Sequence, residues 1–108
     1  MAVYELRTYD IHPGKMAAIN ARFQRHTLRF FQKHGIEVVG FWQREIGDAG
    51  QLIYVCRFDS EQQLQERWAS FRADPDWLRV REESEREGPL VRQVTSVVLY
   101  PTPYSPLQ

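Results

Sequence analysis

Three polar side chains near the N-terminus have the types and spacing of a ligand-binding site. Glu5, Arg7 and Tyr9 occupy alternate positions of one segment, and Leu6 lies between the first two. In a strand, alternate side chains point to the same face of the sheet, so all three would point to one face and Leu6 to the other. A guanidinium fork matches a carboxylate, and a tyrosine hydroxyl adds a further hydrogen bond. We expect Leu6 to face the helices, and we predict a pocket for a small aromatic or carboxylated ligand anchored by Arg7 and Tyr9, with Arg57 joining them.

The same charges also suit a purely structural role. An ion pair of Glu5 with Arg7 or with Arg57 at a subunit interface would fix the orientation of two chains and bind no ligand. Structural ion pairs perturb the same residue types as binding sites do, so both interpretations stay open.

The histidines of the first predicted helix are candidates for acid-base chemistry. His26 lies between Phe23 and Phe30, and His34 follows two turns later. At about 1.5 Å of rise per residue their backbones are roughly 12 Å apart, which is too far to share a metal ion. We therefore predict no metal site. A single imidazole can serve as a general base or a haem ligand, but a hydrogen-bonded structural role suits both residues better, so no cofactor is expected.

The large aromatic side chains offer a wall for a planar substrate. The helical spacing of Trp68 and Phe71 favours core packing for those two. No glycine-rich phosphate loop, nucleophile elbow or paired-cysteine motif accompanies them. The predicted pocket residues are therefore Arg7, Tyr9, His26, Phe41, Trp42, Arg57 and Trp77.

Composition limits the class of protein and its partners. The chain has 108 residues, with 14 Lys plus Arg against 14 Asp plus Glu, so one domain is expected over 1–108 and no net field attracts nucleic acid or anionic lipid. The apolar runs are too short for a membrane span, and the N-terminus lacks the pattern of a secretory signal. We expect a cytoplasmic protein whose lone Cys56 is a small buried hydrophobe.

Glycine, proline and polar breaks divide the first half of the chain into three elements. Residues 3–10 alternate and predict a strand that His12-Pro13-Gly14 ends. Apolar residues at spacings of three, four and seven then predict a helix that Gly35 closes. Residues 36–46 follow as a strand, and Gly47-Asp48-Ala49-Gly50 favours a tight hairpin.

The second half repeats the pattern. Residues 51–58 are predicted as a strand, and a capping box at Ser60 opens a second helix. Asp74-Pro75 starts a short helix through about Glu87. The last strand runs from about Leu90 to Tyr100, and the proline-rich tail 101–108 is expected to be extended. The order βαββαβ predicts an α+β, ferredoxin-like fold with a four-stranded antiparallel sheet.

Both faces of this sheet are apolar, although helices can cover only one of them. Strand 51–58 places Leu52, Tyr54 and Cys56 on one parity and Ile53 and Val55 on the other. Since monomers rarely expose large apolar patches, a second copy is the simplest cover, and two sheets packed about a two-fold axis would enclose a barrel-like space. The predicted homodimer interface residues are Glu5, Val55, Val97, Leu99 and Tyr104.

Several motifs resemble the NIPSNAP family over almost the entire chain. They are Tyr4-Glu5-Leu6-Arg7-Thr8-Tyr9 with Pro13-Gly14-Lys15, His34-Gly35 with Gly40-Phe41-Trp42, Trp68-Ala69-Ser70-Phe71 with Asp74-Pro75-Asp76-Trp77, and the ending Tyr100-Pro101-Thr102-Pro103-Tyr104-Ser105-Pro106. The resemblance implies a dimeric α+β barrel, a superfamily that includes cofactor-free monooxygenases, lactone isomerases and haem-handling enzymes. It implies no settled reaction for the family.

Three functions follow as hypotheses. The leading one is a homodimeric domain that binds a small molecule in the barrel or between helices and sheet. The second is a cofactor-independent monooxygenase or isomerase, in which Trp77, His26 and Tyr9 would act on the substrate. The third is a protein-interaction module, since one fold hosts unrelated activities.

Overall fold

A computed structural model describes residues 2–46 and 49–108 of the chain. Four strands form one antiparallel sheet in the order β2-β3-β1-β4. They are β1 (Val3–Ile11), β2 (Glu37–Ile46), β3 (Ala49–Phe58) and β4 (Val91–Leu99). This confirms the predicted α+β, ferredoxin-like architecture. Of the predicted hairpin turn Gly47-Asp48-Ala49-Gly50, Gly47 and Asp48 lie outside the described residues, and Ala49 and Gly50 belong to β3.

The helices connect the strands in the predicted order. The first consists of α1 (Met16–Arg22), a π-helical turn (Phe23–Thr27) and α2 (Leu28–Lys33). It ends at Gly35, whose φ of 69° is the left-handed conformation expected there.

The second connection contains α3 (Glu61–Ala73) and α4 (Pro75–Ser84). Ser60 caps α3 by accepting from the Gln63 amide, and Asp74 caps α4 by accepting from the Asp76 amide. The prediction of a helix through Glu87 was too long, because the chain leaves α4 at Glu85 and continues in turns.

The helices cover one face of the sheet and form the core with it. Tyr54, Cys56 and Phe58 of β3 are fully buried beneath the helices. Phe31 of α2 lies 6.0 Å from the Tyr54 ring, and Trp68 of α3 lies 6.5 Å from the Phe58 ring. The prediction that Cys56 is a small buried hydrophobe is confirmed, since it is a free, fully buried thiol.

The orientation of β1 differs from the prediction. Glu5, Arg7 and Tyr9 pair with Cys56, Tyr54 and Leu52 of β3, and cross-strand partners share a face. These three polar residues therefore face the helices. The expectation that Leu6 faces the helices was wrong, as was the placement of Glu5 at an open-face interface, because the side chain of Glu5 is buried under α3.

The face opposite the helices is open and largely apolar. Leu6 of β1 pairs with Val55 of β3 and with Val97 of β4, so these side chains form one row across the sheet. Trp42 and Leu99 lie on the same face in the rows on either side and are 55% and 42% exposed. We call Leu6, Trp42, Val55, Val97 and Leu99 the open-face patch.

The C-terminal tail folds back instead of extending. The amide of Ser105 donates to the carbonyl of Thr102, and the side chain of Gln108 donates to the carbonyls of Thr102 and Ser105. The hydroxyl of Tyr4 also donates to the Gln108 carbonyl at 3.1 Å. The prediction of an extended tail was wrong because these local bonds close a turn, at which Tyr104 remains exposed.

Candidate functional site

A cleft of about 300 Å³ lies between strands β1 and β4 and the helices. Arg7 and Tyr9 line it from β1, Trp68 from α3 and Trp77 from α4. Its volume is at the lower end of the range for small-molecule sites. Five arginines and one glutamate border it, so the cleft is electropositive; they are Arg7, Arg22, Arg72, Arg81, Arg92 and Glu85.

Three aromatic residues of α3 and α4 form the aromatic wall of the cleft. Trp68 and Phe71 are three residues apart in α3 and therefore share a helix face. Asp74 and Pro75 then end α3 and begin α4, which brings the Trp77 ring to 4.7 Å from the ring of Phe71. The wall is thus a packed aromatic cluster whose edge borders the cleft.

A buried polar network lies at the floor of the cleft. Arg7 donates from Nη1 to Glu5 Oε2 at 3.1 Å and from Nε to the Tyr54 hydroxyl at 2.8 Å. The hydroxyls of Tyr54 and Tyr9 are 2.8 Å apart. Glu5 also accepts hydrogen bonds from Trp68 Nε1 and the Ser96 hydroxyl. Every charged group of the floor is therefore paired.

Burial determines the protonation of this floor. It raises the pKa of Tyr54 well above the usual value, with the neighbouring Tyr9 adding to the effect, so the phenol stays neutral and can donate. Burial, followed by the Glu5 carboxylate, raises the pKa of the Cys56 thiol to about 12. Cys56 is therefore unreactive at neutral pH.

Arg22 forms the part of the cleft wall that sequence reasoning missed. It is 7% exposed, and its guanidinium lies 5.5 Å from the centre of the Trp77 ring. Its Nη1 donates to the Ser84 hydroxyl at 3.1 Å and to Glu85 Oε1 at 3.4 Å. The signal in the sequence was its position three residues after the buried Ile19, which places a charge on the apolar face of the helix.

Three of the predicted pocket residues, Arg7, Tyr9 and Trp77, line the cleft together. Phe41 faces the same side of the sheet, 5.1 Å from the ring of Tyr54, but it is 37% exposed and does not line the cleft. His26 lies outside the cleft, in an outer groove of about 390 Å³, where Arg29 Nη2 is 3.0 Å from its Nδ1.

Trp42 and Arg57 lie on the opposite face of the sheet. Arg57 pairs in register with Tyr4, and its guanidinium donates to Asp59 at 3.3 Å. The prediction that Arg57 joins Arg7 was wrong, because the two residues differ in parity across the β1–β3 register.

A second polar cluster joins α2 to the α3–α4 junction. His34 Nε2 and Lys33 Nζ each lie 2.7 Å from Asp74 Oδ2, and His34 Nδ1 lies 2.6 Å from the Ser70 hydroxyl. Hydrogen bonds from Lys33 and then His34 hold the pKa of Asp74 well below its usual range. The hydrogen-bonded structural role predicted for His34 is confirmed.

The described residues carry neither a metal cluster nor a membrane-spanning helix. Within 2–46 and 49–108, no group of three or more His, Cys, Asp or Glu side chains is placed to hold a metal ion. In the same ranges, no helix has the length and apolar character needed to cross a bilayer.

Solved structures with this fold include two relatives of similar length. A NIPSNAP family protein of unknown function from Agrobacterium tumefaciens is 28% identical over 99% of this chain and 94% of its own, with a TM-score of 0.85. A NIPSNAP-like domain protein from Burkholderia xenovorans is 21% identical over 97% of this chain and 89% of its own, also with a TM-score of 0.85.

A more distant likeness is to a monooxygenase of Streptomyces coelicolor whose structure holds the ligand Nanaomycin D. It is 13% identical over 94% of this chain and 88% of its own, with a TM-score of 0.58, and this shows a shared fold. No curated protein matches the sequence. The NIPSNAP sequence model matches residues 4–106, and the chain therefore belongs to the NIPSNAP family.

Proposed function

We propose that this protein binds a small aromatic or carboxylated molecule in the cleft between its helices and strands β1 and β4. The observation that carries the proposal is the combination of aromatic walls, Trp68 and Trp77, with a surplus of arginines around a cavity of about 300 Å³. Ligand sites of this kind join apolar surface to a few fixed polar groups. Arg7 and Tyr9 supply such groups at the floor of the cleft, and both are fixed by the buried Tyr54 hydroxyl.

The tryptophans allow a test on the unaltered protein. Trp68 and Trp77 line the cleft, whereas Trp42 lies on the opposite face of the sheet. We expect a titration with 2-naphthoate, followed by ¹H–¹⁵N NMR of the indole N–H groups, to shift the signals of Trp68 and Trp77 and to leave that of Trp42 in place. Signals that stay fixed up to millimolar 2-naphthoate, or a shift confined to Trp42, would reject the cleft as the binding site.

We also propose that the functional unit is a homodimer in which a second copy covers the open-face patch. The patch consists of the row Leu6, Val55 and Val97 and of the exposed Trp42 and Leu99 on the same face. Its apolar character supports this proposal, because exposed patches of this kind mark association surfaces. The exposed Tyr104 of the tail stays a predicted interface residue, and the cytoplasmic location stays a prediction.

A second candidate function is cofactor-independent oxygenation or isomerisation of a phenolic substrate in the same cleft. The specific support is the hydroxyl of Tyr9, which lines the cleft beside Arg7 and is held 2.8 Å from the hydroxyl of the buried Tyr54, so that it can hydrogen-bond a phenolic oxygen. Since His26 lies outside the cleft, Tyr9 and Trp77 are the residues to change. Oxygen uptake with 1-naphthol above that of the Tyr9→Phe variant would support this function, and uptake equal to buffer would reject it as an oxygenase.

A further inference from the structure

We propose that Arg22 makes the cleft selective for a carboxylate, so that the natural ligand is an aromatic carboxylate rather than a neutral aromatic compound. This inference rests on the proposed function of the same cleft. Arg7 and Arg22 both line the cleft with Tyr9, but their charges are compensated to different extents.

Arg7 has a counter-ion of its own. The Glu5 carboxylate lies 3.1 Å from Arg7 Nη1, and its side chain is only 4% exposed. Trp68 and Ser96 hold that carboxylate in place through their own hydrogen bonds. A ligand carboxylate at Arg7 would therefore compete with a carboxylate that is already buried and fixed.

Arg22 is compensated only in part. Glu85 Oε1 lies 3.4 Å from Arg22 Nη1 and 3.5 Å from Arg81 Nε, so two arginines share one carboxylate oxygen at the limit of hydrogen-bond distance. Glu85 is also 26% exposed, which weakens its field through solvent. The result is an excess positive charge on a nearly buried guanidinium.

The unused edge of Arg22 has the geometry of carboxylate recognition. All its hydrogen bonds within the described residues start from Nη1, and its buried Nε has no partner there. The Nε and Nη2 atoms form the side of a guanidinium that binds both oxygens of a carboxylate in parallel. An aromatic acid bound this way would lie beside Trp77, over which the guanidinium is already placed.

The backbone around Arg22 holds it at this position. A π-helical turn begins directly after it, at Phe23, and the Thr27 hydroxyl donates to the Arg22 carbonyl at 3.3 Å. Such insertions in helices are frequent at functional sites because they redirect the side chains next to them. Arg22 thus stands between the cleft and the outer groove, and borders both.

Two probes of the same shape separate charge from aromatic binding. 2-Naphthoate carries a carboxylate, and 2-naphthamide is its neutral isostere. By calorimetry we expect the protein to bind 2-naphthoate about tenfold tighter than 2-naphthamide. The Arg22→Gln variant should lose this preference and keep its affinity for the amide. The Arg25→Gln variant is the matched control, because Arg25 lies on the same helix, is exposed and does not line the cleft.

A second variant tests the idea without removing a buried arginine. Glu85→Gln deletes the carboxylate that Arg22 and Arg81 share, so affinity for 2-naphthoate should rise several-fold. Equal affinities for both probes, an unchanged preference in Arg22→Gln, or no gain in Glu85→Gln would each overturn the inference while the cleft remains a binding site. Failure of both probes to bind would overturn the proposed function and this inference together.

Discussion

The indole N–H of Trp68 donates to Glu5 Oε1 over 2.6 Å, and the same indole lies 4.3 Å under the guanidinium carbon of Arg7. One side chain of α3 thus contacts both members of an ion pair in β1. The helix layer and the sheet are therefore joined by a charged group as well as by apolar packing.

Replacing Glu5 with Gln is expected to destabilise the fold strongly. The change leaves the Arg7 charge buried without its counter-ion, a loss of about 3–5 kcal/mol in the free energy of unfolding. Urea denaturation, read as a fall in the midpoint at constant slope, measures it. The control is Asp59→Asn, whose pair with Arg57 is exposed and should contribute about 0–1 kcal/mol. Equal stability of both variants would contradict a compensating role for Glu5.

The order of the elements could be predicted from the sequence, but the facing of β1 could not. Local signals such as Pro13, Gly35 and the Ser60 cap act within a few residues, and each marks an element boundary in the structure. The burial of Glu5 depends instead on Trp68 and Ser96, which are 63 and 91 residues away. An alternation of polar and apolar residues does not reveal such partners, so Leu6 was the more obvious core residue.

Some residues of the candidate site could likewise be predicted from the sequence, and others could not. Arg7, Tyr9 and Trp77 were predicted because their chemistry is visible in the sequence. Arg22 was missed because an arginine in a helix is usually solvated, and because its partners Ser84 and Glu85 lie more than 60 residues later. Trp42 and Arg57 were assigned to the wrong face of the sheet, because a strand that is apolar on both faces does not indicate which face the helices cover.

Substituting Val97 with Lys is expected to yield a monomer. Val97 is 44% exposed on the open-face patch, where a charge would be buried against a second copy at a high cost. Light scattering on a sizing column should give twice the chain mass of 12.8 kDa for the unaltered protein and a single chain mass for the variant.

The matched control for Val97 is Val94→Lys in the same strand. Val94 is 46% exposed but points to the helix side of the sheet, so this variant should stay dimeric. A single chain mass for the unaltered protein at micromolar concentration would contradict the proposed dimer.

Replacing Gly35 with Ala should cost more stability than replacing Gly14 with Ala. Both glycines have a left-handed backbone, with φ of 69° and 77°, so each substitution strains the chain by about 1–2 kcal/mol. At Gly35 an added Cβ would also lie 1.6 Å from Arg67 Nη1, whereas nothing lies within 4 Å at Gly14. Arg67 would lose its bond to the Gly35 carbonyl, and thermal unfolding of the two variants should show the difference.

Acid should weaken the junction of α2 with α4 through Asp74. Its pKa is lowered in the folded chain, first by the hydrogen bond from Lys33 and then by that from His34. A carboxyl group whose folded pKa is depressed stabilises the fold fully above its unfolded pKa of about 3.9, and this contribution disappears as the pH falls towards the folded pKa. The difference in free energy of unfolding between the unaltered protein and Asp74→Asn, measured by urea denaturation at each pH, should thus shrink as the pH falls below about pH 4. Asp76→Asn is the control, because Asp76 is exposed and pairs only with the exposed Arg79 among the described residues. An advantage of Asp74 that does not change between pH 7 and pH 3 would show that its hydrogen bonds to Lys33 and His34 do not depend on its negative charge.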